Sequence, residues 1–427
     1  MPEFYKETLN NGLRLVTVAM PHLHSCEMVC YVGFGGRDEA AADSGVAHFL
    51  EHMLFRGCRL YPSSFDLETA FEALGGAVNA STDAETTCFH TRLHPARLQE
   101  GSALFAAMLR EPLYREIDIE RRIILEEALE DLNEKGEQTS PDNLTAQLLW
   151  PGHPLGRSII GSEKTLAAID RETLCRYHTT YYTPTNMVIA VAGPVVHGEV
   201  VSAVSAGFGA WESQPLPSPS LPAPCHGGAV GDVWVEDSDS QVTLQLAFPV
   251  PGRFDSRAVD MRLLRRLLAA GGASRLMQRL REQLGLVYHV DAGASLFADA
   301  GCFVVELATS PENLVAAVRE VLANLAELRD VGVPPQELER ARRSYLFDLE
   351  FSLDHPEEMA VRFGWGELSC CSRTIAEDRE AVAALTAEGL QLTLKEFFMR
   401  PPVLAVVGPY RQDDRARVSS LLKQYGV

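Results

Sequence analysis

One stretch of the chain could do chemistry by residue type and spacing alone: Ser44-Gly45-Val46-Ala47-His48-Phe49-Leu50-Glu51-His52-Met53-Leu54-Phe55-Arg56-Gly57. His48 and His52 are four residues apart, so on a helix both imidazoles lie on one face, one turn apart. Two zinc ligands need that spacing if both nitrogens are to reach one ion at about 2.0–2.1 Å. Glu51 follows His48 by three residues and shares its face, where a carboxylate could take a proton from water. Ser44 is expected to cap the helix start and Gly57 to close its end. Val46, Phe49, Leu50, Met53 and Leu54 supply the side that packs into a core. Two histidines on an otherwise apolar helix can also be satisfied core residues, and what tips the reading towards a metal is an acidic helix further along.

A catalytic zinc usually has three protein ligands and one open position. The segment Ile117-Asp118-Ile119-Glu120-Arg121-Arg122-Ile123-Ile124-Leu125-Glu126-Glu127-Ala128-Leu129-Glu130-Asp131-Leu132 is a strong helix former. Glu120 and Glu127 are two turns apart and face the same way, so one could bind the metal while the other orients a ligand. Spacing alone does not choose between Glu126, Glu127 and Glu130. A solvated face is the expected role of Glu130, Asp131 and Glu134.

The rest of the chain must supply the elements that hold these groups. It has 427 residues, 46% of them apolar, which suits two domains or two halves of similar build. Ser213 to Pro224 reads SQPLPSPSLPAP and is expected to run extended as a linker. The expected organisation is 1–212 as a zinc-bearing catalytic half, 213–228 as linker and 229–427 as a metal-free homologous half. Both halves follow a similar order. Strand-like runs at Leu13–Ala19 and Glu27–Gly33 precede the helix Val46–Arg56, and runs at Ala229–Val235 and Gln241–Phe248 precede a helix at Ser256–Ala270. Long amphipathic helices come next, Arg97–Arg110 and Ile117–Glu134 in the first half, Pro311–Val331 and Pro335–Leu353 in the second. Each half ends in an apolar strand, Met187–Ala192 and Val403–Val407, followed by Gly-Pro. The expected fold class is α+β: two duplicated α+β halves, each a mostly antiparallel sheet flanked by helices.

The formal charge of -20 argues against nucleic acid and anionic membrane as partners. Nine scattered cysteines without a Cys-x-x-Cys read as free thiols in a reducing compartment. With no secretory signal and no long apolar run visible, a cytoplasmic location and no membrane span are expected.

Taken together, these residues resemble the pitrilysin/insulinase family of zinc peptidases, the inverzincins, most closely short-chain members such as mitochondrial processing peptidase subunits and their bacterial relatives. The likeness covers nearly the whole chain, most strongly Asn10 to Gly193. Besides His48 to Gly57 it rests on Gly75-Gly76-Ala77-Val78-Asn79-Ala80-Ser81-Thr82, Ile124-Leu125-Glu126-Glu127, His153-Pro154-Leu155-Gly156 with Ile160-Gly161, and Tyr181-Tyr182 with Asn186-Met187. The gap from His52 to Glu127 is about one residue shorter than is common in the family, with the loop near Leu60–Ser64 as its expected place.

The resemblance implies one Zn2+ per chain on His48, His52 and Glu127, with Glu51 as general base and Glu120 as the acidic helper. It implies that Asn79 and Ala80 lie on a strand that adds an extended peptide substrate as a further strand. Ala270-Gly271-Gly272-Ala273-Ser274-Arg275-Leu276 and the run from Arg281 to Tyr288 resemble the family's substrate-binding segment, implying that Arg281 and Tyr288 contact the scissile peptide. Without that likeness, Arg281 reads as a surface ion pair and Tyr288 as a packed strand aromatic. The second half has only His226, His289 and His355, none at ligand spacing, and is expected to be metal-free. A homodimer or a heterodimer with a homologous subunit is implied. The alternatives are a non-catalytic scaffold or assembly subunit of a heterodimer, or a partner-dependent peptide-precursor processing subunit. The intact set His48, Glu51, His52 and Glu127 argues against the scaffold.

Overall fold

The structure is a computed structural model that describes residues 3–218, 222–223 and 231–425. Positions 219–221 and 224–228 of the expected linker lie outside the described residues, as does the expected strand start at 229. The chain divides into two compact units. Unit 1 comprises Met1–Ala128, Arg157–Leu221 and Leu349–Thr374; unit 2 comprises Leu129–Gly156, Pro222–Asp348 and Ile375–Val427.

Unit 1 is built on six strands: β1 (Glu3–Thr8), β2 (Arg14–Ala19), β3 (Cys26–Val32), β4 (Val78–Thr82), β5 (Thr87–Leu93) and β6 (Met187–Gly193). Their order is β1-β2-β6-β3-β5-β4, with β2 and β6 the one parallel pair. The sequences of β3 and β6, CEMVCYV and MVIAVAG, are buried at every position. Near-continuous apolar runs of this kind suit strands covered on both faces. By contrast β5 alternates, with Thr87, Phe89, Thr91 and Leu93 buried and Cys88, His90 and Arg92 turned the other way. That period of two marks a strand with one buried face.

Unit 2 carries β7 (Asp232–Val235), β8 (Val242–Val250), β9 (Val287–Leu296), β10 (Gly301–Thr309) and β11 (Val403–Val407). Their order is β7-β11-β8-β10-β9, and β7 with β11 is again the parallel pair. If β2 to β6 are laid against β7 to β11 in chain order, the two sheets have the same topology, and β1 is the one addition. The chain is therefore α+β, with two duplicated halves, each a mostly antiparallel sheet flanked by helices.

Two helices carry the candidate ligands, α1 (Val46–Leu54) and α2 (Ile117–Leu129), and two cover sheet faces, α3 (Pro141–Leu149) and α4 (Pro356–Leu368). The expected helix Ile117–Glu134 stops at Leu129, because the chain turns there and pairs Leu132 with Gln138. In unit 1, the main core gathers Met28, Cys30, Phe89 and Ile189 from one sheet face with Phe49, Leu50 and Met53 of α1. On the other face α4, from far along the sequence, lies over β2, β6 and β3. Unit 2 shows the reciprocal feature: α3, from early in the sequence, lies over β7, β8 and β11, with Leu144 packed among Val235, Ala405 and Val407. No helix among the described residues is long and apolar enough to cross a membrane. The eight cysteines among them are free thiols.

The approach of α4 to its sheet is close enough to dictate a residue. A Cβ on Gly364 would fall 2.6 Å from Ala190 Cβ and 2.9 Å from Tyr31 Cε2. Gly364→Val is accordingly expected to destabilise the protein by about 1–3 kcal/mol, the usual cost of overpacking a well-filled core. Denaturant unfolding read against the wild type checks this; an unchanged midpoint would mean that α4 does not sit this tightly.

Candidate metal centre

The first two ligand candidates depend on where α1 starts and how firmly it is held. Its N-cap is Gly45 in the left-handed region (φ 95°), where a Cβ would fall 2.3 Å from the carbonyl oxygen of Ile160. Ser44 does not cap the helix, contrary to expectation. The Glu39 carboxylate does so instead, accepting from Gly45 N–H at 2.9 Å and Ala47 N–H at 2.8 Å. A carboxylate suits the positive end of a helix. Burial pushes the Glu39 pKa up to about 8 against the pull of those two donors. The helix then runs to Leu54, and Gly57 (φ 111°) comes after its end. Val46, Phe49, Leu50, Met53 and Leu54 are fully buried.

On the remaining face of α1, His48 Nε2 and His52 Nε2 stand 3.2 Å apart. Glu127, on α2, completes a triangle: its Oε1 is 3.5 Å from His48 Nε2 and its Oε2 3.5 Å from His52 Nε2. Two left-handed residues, Tyr114 (φ 48°) and Glu116 (φ 59°), precede α2. Outside glycine such angles are uncommon and are tolerated where the surroundings enforce them. Glu120, two turns before Glu127, is buried and accepts from His52 Nδ1–H at 2.8 Å. Its other oxygen accepts from Arg56 Nε, and Arg56 Nη1 is 3.5 Å from Glu116. Binding Nδ1–H to a carboxylate leaves the Nε2 lone pair of His52 free for a ligand, the arrangement that fixes a metal-binding tautomer.

Electrostatics set the two imidazoles apart. Burial, helped by neighbouring His52, lowers the His48 pKa to about 4, so this imidazole is neutral near pH 7. Its Nδ1 is buried without a hydrogen-bond partner. Burial pulls His52 down, but the hydrogen bond and charge of Glu120, with Glu51 and Glu127, outweigh it and raise that pKa. Burial pushes Glu120 up, yet its His52 and Arg56 donors hold its pKa below the ordinary carboxylate value. Glu51 is buried, and this burial raises its pKa. Thr82 Oγ1, at the end of β4, donates to Glu51 Oε2 at 2.5 Å.

These donors fit a zinc ion. Bond lengths of about 2.0–2.1 Å in tetrahedral geometry put neighbouring donor atoms about 3.3–3.4 Å apart; the two imidazole nitrogens stand 3.2 Å apart, and each lies 3.5 Å from a different oxygen of Glu127. Among the described residues, His48, His52 and Glu127 form the group that could hold a metal ion.

Of the other site residues read from the sequence, Asn79 and Ala80 lie on β4, the edge strand of the six-stranded sheet, with Asn79 exposed. Arg281 and Tyr288 belong to unit 2 and pair with each other, the guanidinium 5.2 Å from the ring centroid. Tyr288 is 80% exposed rather than packed in a strand interior. Sequence reasoning missed Glu39, Thr82 and Arg56. Arg56 carried a signal, since it continues the four-residue spacing of His48 and His52.

A duplicated α+β chain with an inverted His-x-x-Glu-His helix and a distant carboxylate defines a class of zinc peptidase-like proteins. The family pattern described as "Insulinase (Peptidase family M16)" matches residues 14–163, which contain His48, Glu51, His52 and Glu127. A second, "Peptidase M16 inactive domain", matches residues 168–345, which contain Arg281 and Tyr288. An uncharacterized zinc protease of Streptomyces coelicolor is 30% identical over 421 residues, covering 97% of this chain and 91% of that one. An uncharacterized zinc protease of Mycobacterium tuberculosis is 31% identical over 414 residues, covering 95% and 93%. Among solved structures, a protease from Helicobacter pylori superposes with a TM-score of 0.88 at 20% identity, over 96% of this chain and 100% of that chain. The chain belongs to the insulinase (M16) peptidase family.

The geometry separates ligand from support. Glu127→Ala is expected to abolish stoichiometric zinc, whereas Glu120→Gln weakens affinity by about 10–100-fold, the usual effect of losing an outer partner. Metal analysis after dialysis against graded chelator checks both; stoichiometric zinc in Glu127→Ala would remove this residue from the ligand set.

Proposed function

We propose that this protein is a zinc metallopeptidase that hydrolyses peptide bonds in extended peptides or unfolded segments. The observation that carries the reading is the triangle of two imidazole nitrogens and a carboxylate, with Glu51 one turn away on the same helix. Zinc, when bound, supplies a Lewis acid that polarises the peptide carbonyl and makes water more acidic. Glu51 takes the proton from the attacking water and hands it to the leaving amine. Thr82 holds one oxygen of Glu51, which orients the other for that transfer. A raised pKa suits a base that must also release its proton.

The outer edge of β4 offers unpaired backbone groups to an extended chain, so the substrate is added as a further strand beside Asn79 and Ala80. Folded proteins cannot present such a strand, which restricts the substrate class. The family resemblance makes Arg281 and Tyr288 substrate contacts that steady a developing oxyanion, in this chain's site or in that of a partner subunit. The partner in this reading is a second copy or a homologous subunit, and the compartment is the cytoplasm, in keeping with free thiols.

Glu51→Gln is expected to keep about one zinc per chain while peptide cleavage falls by about 10²- to 10⁴-fold, the range for a general base. Metal analysis paired with cleavage of a quenched peptide library reads both. Cleavage at the wild-type rate by this variant would remove Glu51 from the reaction.

A further inference from the structure

On the sheet face away from the metal helix, β5 and β4 present a second constellation that the hydrolytic machinery does not use. In the β4–β5 register His90 stands opposite Asn79 and Cys88 opposite Ser81. In the β3–β5 register Arg92 stands opposite Glu27. Paired residues share a face, so Asn79, Ser81, Cys88, His90, Arg92 and Glu27 all lie on one side. Helix α4 covers this side over β2, β6 and β3, while Asn79, Ser81 and Arg92 towards the edge are exposed.

The charges there are layered. The Glu27 side chain is 3% exposed and accepts from His90 Nδ1–H at 3.0 Å. That bond fixes the ring and turns Nε2 loose: it makes no hydrogen bond among the described residues. The Arg92 side chain is 58% exposed, 3.7 Å from Glu27 and 3.9 Å from Glu357, both beyond hydrogen-bond range. A buried carboxylate thus stands behind His90, whose Nε2 is unspent, and Arg92, whose guanidinium makes no hydrogen bond among the described residues. In a chain with 58 acidic and 38 basic residues, two basic side chains beside two acidic ones make this patch less acidic than the chain as a whole.

We propose that His90 and Arg92, backed by Glu27, form a side-chain subsite that favours an acidic residue in the peptide substrate. The inference rests on the reading of β4 as the strand to which peptide is added. An added strand alternates its side chains between the two sheet faces. One set points towards α1, and the other lies beside Asn79 and Ser81, one strand from His90 and Arg92. Strands are about 4.8 Å apart, so a long arginine reaches across β4 to a Glu or Asp on the added strand. Charge-assisted hydrogen bonds from imidazolium and guanidinium are the stronger kind.

The dependence on pH comes from the groups facing His90: Glu27 on β3, Arg92 on its own strand, Asn79 on β4 and Glu357 on α4. The hydrogen bond and charge of Glu27 raise the His90 pKa above the ordinary histidine value. The acidic preference is therefore full below that pKa and declines as pH rises through it, down to the part supplied by Arg92. Glu27→Gln removes the raising partner, so the decline moves to lower pH.

The test uses the zinc-loaded wild-type protein and two peptide series that differ only in Glu against Gln at each position around the cleaved bond. Glu is expected to be favoured in kcat/KM by about fivefold, at positions two apart, in keeping with a partly exposed charged pair. In His90→Gln/Arg92→Gln the ratio falls to about one with zinc content intact; Arg92→Gln alone, at an exposed side chain, lowers it part of the way. Equal cleavage of both series by wild type, or a preference that survives in the double variant, overturns this inference alone. No cleavage of either series overturns the peptidase reading and this subsite with it.

Discussion

The centre depends on holding two imidazole nitrogens 3.2 Å apart in surroundings poor in water. Two lone pairs that close must share a proton or a metal ion. Burial holds the His48 pKa at about 4, while Glu120 raises that of His52, so His48 is the ring that stays neutral with its lone pair available. A metal ion shared with the Glu127 carboxylate suits the same geometry. Everything around α1 serves to keep the two rings from swinging apart. Its apolar side is sunk in the core, Glu39 grips its first N–H groups, and Glu120 fixes the tautomer of His52. Arg56 in turn anchors Glu120, so the chain of support runs from α2 back to the end of α1.

The duplication shows what the metal adds to an otherwise ordinary unit. The helix Ala258–Leu268 of unit 2 sits between β8 and β9 in chain order, as α1 sits between β3 and β4. Its inner residues, Met261, Leu263, Leu264, Leu267 and Leu268, are buried much like those of α1. Its buried carboxylate, Asp260, accepts from Thr393 Oγ1 at 2.5 Å, a self-contained hydrogen bond that needs no ion. The same topology therefore folds with or without a metal helix. Packing specifies the helix, and the polar residues on its free face specify what it can do.

Much of this was legible because the informative signals are local. The four-residue spacing of His48 and His52 and the apolar runs of β3, β6 and β11 each declare themselves within a few residues. What stayed hidden was long-range. The strand β1, EFYKET, has no buried apolar alternation, since it forms an exposed edge. Glu39 looked like any surface acid, because only the left-handed turn at Gly45 brings it onto the helix end. Spacing left Glu126, Glu127 and Glu130 open, and the resemblance chose Glu127; the 3.5 Å distances to both histidines are a tertiary fact no local pattern contains. The reciprocal placement of α3 and α4 was equally unreadable, for an amphipathic helix does not say which sheet it will cover.

The two edges of the six-stranded sheet differ in a way that bears on the peptidase reading. An unpaired strand edge invites pairing with other chains, and proteins guard against this with charge, shortness or cover. The strand β1 carries Glu3, Lys6 and Glu7, three charges in six residues. The strand β4, VNAST, carries none, although it too is an edge. Its safeguards are its five-residue length and the exposed polar groups of Asn79 and Ser81, which resist aggregation without repelling an incoming backbone. A sheet guarded by charge at one border and left neutral at the other, where Thr82 grips Glu51, has its accessible edge on the side of the metal. The neutral edge also makes the side-chain surroundings of an added strand decisive. With no charge on β4 itself, the next strand inward, where His90 and Arg92 lie, gains weight in electrostatic selection.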